Sequence, residues 1–93
     1  MTMKETMDQL TKGINEDSEY AWAWHCNIAM ATYDEGCLSL PKANRAAARF
    51  MKNAFGVDMT KHEYFADTQK DWSDPEFLLS ENFADFYKGE LFK

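Results

Sequence analysis

Between Ser18 and Tyr33 the chain runs without a glycine or a proline, and that stretch constrains the fold more than any other. Within it, "YAWAWHCNIAM" can be read two ways. Tyr20, Trp22, Trp24, Cys26, Ile28 and Met30 alternate with smaller residues, the period-two pattern of a half-buried strand. Yet Ala21, Ala23, Ala29 and Ala31 are strong helix formers and poor strand formers. The unbroken length is also ordinary for a helix and long for a strand. Helix is therefore the reading. At about 100° per residue, Trp22, Cys26, Ala29 and Tyr33 share one face, and Tyr20, Trp24, Ile28 and Ala31 share nearly the opposite one. A helix apolar on two sides is expected at the centre of a bundle, covered by neighbours on both.

The flanking segments also read as helices. Thr2 and Glu5 form a T-x-x-E capping box ahead of Met3–Asn15, where Met3, Met7, Leu10 and Ile14 make one narrow apolar stripe. Asp17 and Ser18 are the cap candidates for the central helix, and Gly36 ends it. A third helix is expected over Leu40–Phe55. Ser39 is its cap candidate, Pro41 lies in its first turn and Gly56 stands just past its end. Its predicted core face is Ala43, Ala46, Ala47, Phe50, Met51 and Ala54. Thr60 and Glu63 then suggest a second capping box and a short helix around 61–66. "TQKDWSDP" reads as a polar connection anchored by Trp72. A C-terminal helix is expected from Pro75 up to Gly89, its apolar face formed by Phe77, Leu78, Leu79, Phe83, Phe86 and Tyr87. The prediction is one all-α domain over residues 1–93: a small bundle of three main helices plus a short helix and a C-terminal helix. Residues 70–93 are its more loosely packed segment.

Three Trp, four Tyr and seven Phe in 93 residues supply enough apolar area for a modest core without staples. No apolar run approaches the roughly 20 residues of a membrane helix, so no membrane association is expected. Two cysteines, Cys26 and Cys37, allow one disulfide. Six methionines, no secretory leader and no Cys-rich framework instead favour reduced thiols in a cytosol.

Net charge is −6, and its distribution is uneven. Residues 1–35 balance at −5, residues 36–62 at +4 and residues 63–93 at −5. Direct nucleic-acid binding is disfavoured for so acidic a chain. The same acidity would suit a mimic of phosphate charge, although many ordinary soluble proteins share it. The basic middle holds the best candidate site. Lys42, Arg45, Arg49 and Lys52 recur at steps of three, four and three, along one face of the third helix. That face suits an acidic partner surface, a nucleic-acid backbone or a phosphorylated ligand. Alternatively, it is a solvated face neutralised by the acidic first and last segments. Asn44 fits either arrangement.

The remaining constellations carry less chemistry. His25, Cys26, Cys37 and His62 are the available soft metal ligands, but no spacing brings two to one helical face, so no metal or other cofactor is expected. Cys26 is expected in the core, Cys37 in a loop and His62 facing solvent. His25 is expected to pair with Thr32, or with an acid such as Asp34 or Glu35, and not to activate a thiol. The abundant carboxylates sit in caps and loops, where the helix dipole favours them. No catalytic residue is assigned. The exposed-surface candidates are the acids Glu76, Glu81 and Asp85, with Trp72, Tyr64, Phe65 and the "ELFK" end as aromatics that either cap the core or anchor a partner.

With "AWHCNIAM", "YDEG" and "ANRAAARFM…FGVD" in view, residues 18–60 resemble small proteins encoded in tailed-bacteriophage genomes. That group has no assigned activity, so no functional residue carries over. The resemblance implies expression in a bacterial cytosol and an accessory role in host takeover or counter-defence, exerted by binding, with a virion or genomic-housekeeping role as the alternative. The leading expectation is thus a phage accessory protein that acts on a host or phage protein, inhibiting a nucleic-acid-handling or defence machine. Its partner-binding residues are Lys42, Arg45, Arg49, Lys52, Trp72, Glu76, Glu81 and Asp85, and homo-oligomerisation through helix faces is a further expectation. The alternative is a ligand-binding module in which Arg45, Arg49, His25 and Asn27 grip a phosphate-bearing small molecule such as a nucleotide.

Overall fold

The stretch from Ser18 to Tyr33 is a helix. In a computed structural model, residues 2–36, 39–81 and 83–85 are described, and among them the chain is all-α with no strand. Helix α1 spans Met3–Glu16, α2 Ser18–Asp34 and α3 Leu40–Phe55. A 3-10 turn at Met59–Lys61 leads to α4, Phe65–Ser73, and the short α5, Pro75–Leu78.

Local chemistry sets most boundaries. The Thr2 side chain accepts from the Glu5 amide and caps α1. Asp17 accepts from the amides of Glu19 and Tyr20 and starts α2 immediately after α1, so Asp17, not Ser18, is the cap. Such a side-chain cap stabilises a helix by about 1 kcal/mol. Ser39 occupies the cap position of α3, but its side chain makes no capping bond, and Pro41 sets the first turn instead. Gly56 closes α3 with φ +74, a left-handed conformation that glycine adopts without strain.

Helices α2 and α3 share the most extensive interface. Ala21, Ala29, Ala43, Ala47 and Ala48 are all buried, and their small side chains let helix backbones approach closely. The core has two lobes. One gathers Ile14, Ala21, Ala48, Met51, Phe55 and Met59; the other gathers Cys26, Ala29, Met30, Leu40, Ala47 and Trp72. Trp22 and Ile28 pack against both and join them.

Several expected faces are corrected. On α2, Trp22, Cys26 and Ala29 pack inward as predicted, whereas Tyr33 is exposed. On the opposite side Trp24 and Ile28 are half-buried, while Tyr20 and Ala31 are exposed. The most buried stripe includes Ala21, His25 and Met30, which lie between the two predicted faces. On α3 the buried residues are Leu40, Ala43, Asn44, Ala47, Ala48, Met51 and Phe55. At about 100° per residue this face is turned roughly 60° from the predicted one. Phe50 is left 51% exposed and Ala54 exposed. The turn brings a polar residue, Asn44, into the core, which an apolar periodicity count does not anticipate. On α1 the stripe is only half used: Ile14 is buried, but Met3 is 80% exposed.

The segment after Gly56 differs most. Thr60 does not cap a helix at 61–66; its hydroxyl and amide bond to the Asp58 carboxylate, and Asp58 caps the 3-10 turn. The supposed polar connection is helix α4. Its inward positions Phe65, Gln69 and Trp72 recur at steps of four and three, a helical spacing obscured by the polar residues between them. Trp72 is 3% exposed. The expected C-terminal helix is interrupted at Leu79 and Ser80 before helical residues resume at Glu81 and 83–85. Ser80 causes the break locally: its hydroxyl donates to the Phe77 carbonyl and accepts from the Phe83 amide. Leu79 is 89% exposed, not part of a core face, while Phe77, Leu78 and Phe83 pack on the Trp72 lobe. The acidic segment is therefore docked on the bundle at least as far as Phe83. Cys37, Phe86, Tyr87, Gly89 and "ELFK" lie outside the described residues.

Candidate functional site

The basic stripe sits where the sequence placed it. Lys42, Arg45, Arg49 and Lys52 are all exposed on α3. The rotation of α3 puts three of them beside the 3-10 turn and α4. Arg45, Arg49 and Lys52 line one wall of an open cleft of about 330 Å³. Ala48 and the half-buried Phe65 also line it, supplying apolar surface, and Asp58 and Thr60 at the 3-10 turn complete the lining. Lys42 lies a turn nearer the start of α3 and does not line the cleft.

Arg45 and Arg49 are the only arginines in the chain. Among the described residues neither has a hydrogen-bond or ion-pair partner. Asp58 is the acidic group of the cleft. Its hydrogen bond from the Thr60 hydroxyl holds its carboxyl below the usual carboxylate range, and Lys52 and Lys61 add to the effect. It stays ionised at neutral pH.

The predicted acids do not join this surface. Glu76, Glu81 and Asp85 are exposed and do not line the cleft, and their segment packs on the lobe containing Trp72. Trp72 belongs to the core of that lobe, which removes it from the partner-binding set. Tyr64 is 45% exposed and stands edge-on to Trp22, with ring centroids 5.8 Å apart.

The histidines are built into a second feature. His25 is fully buried, and its Nε2 lies 2.6 Å from Asn44 Oδ1. Asn44 in turn donates from Nδ2 to Gln69 Oε1 at 2.9 Å, so one polar relay ties α2, α3 and α4 together. The amide orientation of Asn44 makes its oxygen the acceptor for His25, which must then carry its proton on Nε2. His25 Nδ1 is buried with no hydrogen-bond partner. Trp22 stacks on the His25 ring at 4.8 Å and on the His62 ring at 4.9 Å, while Phe65 meets His25 edge-on at 5.9 Å. His62 is not solvent-facing but half-buried, with Nε2 against the Ser18 carbonyl and Nδ1 accepting from the Tyr64 amide.

This corrects two expectations. The partner of His25 is Asn44, not Thr32, Asp34 or Glu35; the Thr32 hydroxyl is bonded to the Ile28 carbonyl. Nor do His25 and Asn27 join Arg45 and Arg49 in a phosphate grip. His25 is sealed inside, Asn27 does not line the cleft, and its Oδ1 is buried without a partner. The Thr60 hydroxyl and amide, which would be natural phosphate donors, are already held by Asp58.

Burial pushes the His25 imidazole below its ordinary value of 6.5; the Asn44 bond opposes this and nearby His62 reinforces it. The folded state therefore resists taking up a proton that the unfolded chain accepts near 6.5. The stability carried by neutral His25 is complete above that pH and is lost as pH falls below it. The limiting slope is about 1.4 kcal/mol per pH unit. Urea unfolding at pH 7.5 and 5.5 is expected to show a lower midpoint at 5.5, before most carboxylates titrate. Equal midpoints would contradict a buried, neutral His25.

No family model, curated protein or solved structure matches the chain. Among the described residues no three His, Cys, Asp or Glu side chains gather where they could hold a metal ion. No described helix is long and apolar enough to cross a membrane.

Proposed function

We propose that the chain is a binding protein, not an enzyme, and that it works by docking another protein against the cleft formed by α3, the 3-10 turn and α4. The observation that carries this reading is the pair of exposed arginines, without a partner among the described residues, beside an apolar patch. Guanidinium groups suit two-pronged recognition of carboxylates, and an adjoining apolar surface adds area that excludes water. The histidine relay supports the same reading from the other side: His25 is occupied in holding three helices and presents no reactive nitrogen to solvent. In the context implied by the phage resemblance, the partner is a host or phage protein in the bacterial cytosol. Inhibition of a host nucleic-acid-handling or defence protein is the outcome of docking.

The test is affinity capture from bacterial lysate with the wild-type chain and with Arg45→Glu/Arg49→Glu. Both positions are exposed, so circular dichroism and thermal melting should be unchanged. The wild type is expected to retain a defined protein that the double variant loses by at least about tenfold, since like charges now face each other. Equal capture by both would refute the reading.

A further inference from the structure

The chemistry of the cleft narrows the occupant beyond "a protein". Arg45, Arg49 and Lys52 succeed one another at steps of four and three along α3, so neighbouring bases stand about 5–6 Å apart at Cβ in a single row. Ala48 and Phe65 line the cleft beside that row. The cap of the 3-10 turn adds the ionised Asp58 to the lining, which repels a second line of acids and leaves room for a neutral or basic edge. A ligand matching all three features is acidic along one edge only, apolar next to it and neutral or basic beyond.

An α-helix offers such edges naturally, because residues three and four apart share a face. We propose that the cleft receives an amphipathic acidic helix of the partner. In this arrangement carboxylates at three- and four-residue spacing meet Arg45, Arg49 and Lys52, and a phenylalanine or leucine one stripe over rests on Phe65 and Ala48. This rests on the protein-docking reading above and specifies the partner's chemistry.

Two other anionic ligands fit less well. A phosphate-bearing small molecule would bring its charge close to Asp58 and find the Thr60 donors occupied. A nucleic-acid strand would have to approach a chain of net charge −6 whose flanking segments each balance at −5. The cleft, at about 330 Å³, admits side chains of a docked helix and not the helix itself.

The experiment uses fluorescein-labelled synthetic helical peptides and the full-length chain, read by fluorescence anisotropy. The first peptide carries glutamates at three- and four-residue spacing beside one phenylalanine. In the second, glutamine replaces each glutamate; in the third, alanine replaces the phenylalanine. The first is expected to bind, with about tenfold weakening in each of the other two and in Arg45→Ala or Arg49→Ala protein. Displacement should follow addition of unlabelled first peptide and not of AMP or a single-stranded oligonucleotide. Equal binding of the first and second peptides, or tighter binding of AMP or the oligonucleotide at these arginines, would overturn the proposal. The lysate experiment keeps the two levels apart. Partner loss in the double charge reversal together with indifferent peptides rejects the acidic helix alone, whereas unaltered capture rejects the docking reading itself.

Discussion

Trp72→Ala is expected to destabilise the fold by about 3–5 kcal/mol, the usual range for emptying a buried aromatic position. Trp72 is 3% exposed and packs with Cys26, Ala29, Met30, Leu40 and Ala47, so its loss opens a cavity where α4 meets α2 and α3. Small domains are stable by only about 5–15 kcal/mol, and each kcal/mol moves the melting temperature of a chain this size by about 4–8 °C. A drop well above 10 °C in a thermal melt is the expected result. If Trp72 were instead a surface anchor, melting would be unchanged and only partner capture would fall.

The second large effect is expected at Asn44. Asn44→Leu keeps the approximate volume but removes the acceptor of His25 and the donor to Gln69. His25 is fully buried and cannot turn to water, so its Nε2–H would remain unsatisfied. A buried donor stranded in this way costs about 1–3 kcal/mol, and the freed Gln69 adds to it. The expected loss is about 2–4 kcal/mol by urea unfolding. Combining Asn44→Leu with His25→Phe removes the stranded donor as well as its partner. The double variant should therefore be more stable than the sum of the single effects implies, by about 1 kcal/mol or more. Strict additivity would show that the relay contributes nothing beyond packing.

These residues also mark where the sequence was legible and where it was not. Helix boundaries at Thr2, Asp17 and Gly56 were readable because capping depends on local chemistry, a side-chain oxygen or a missing Cβ. The basic stripe was readable because four cations at helical spacing must share a face wherever that helix packs. The orientation of α3 was not. Counting apolar residues selects Phe50 and Ala54, but the helix turns to bury Asn44, whose partner His25 lies 19 positions away in the chain. Nothing local to either residue announces that bond.

Helix α4 was obscured for a related reason. Thr68, Lys70 and Asp71 dilute an inward face of only Phe65, Gln69 and Trp72, and Gln69 contributes through a hydrogen bond, not through apolar area. The cleft depends on this helix. Without α4 and the 3-10 turn in place, the stripe is a charged helix face; with them, Phe65, Asp58 and Thr60 turn it into a shaped surface. The acids Glu76, Glu81 and Asp85 do not line the cleft, and the segment that carries them packs through Phe77, Leu78 and Phe83 on the lobe containing Trp72.

The central claim is that the cleft holding Arg45 and Arg49 is the working face, and the composition offers an unusually direct measurement. Because these are the chain's only arginines, an arginine-specific dicarbonyl such as phenylglyoxal reads the cleft alone. Modification of the free protein and of the partner complex, followed by mass spectrometry, is expected to label both residues in the free chain and to spare both in the complex. Labelling at the free-chain rate while the partner remains bound would contradict the account. It would direct attention to another partly apolar groove, where Leu10, Tyr20 and Trp24 of α1 and α2 lie together.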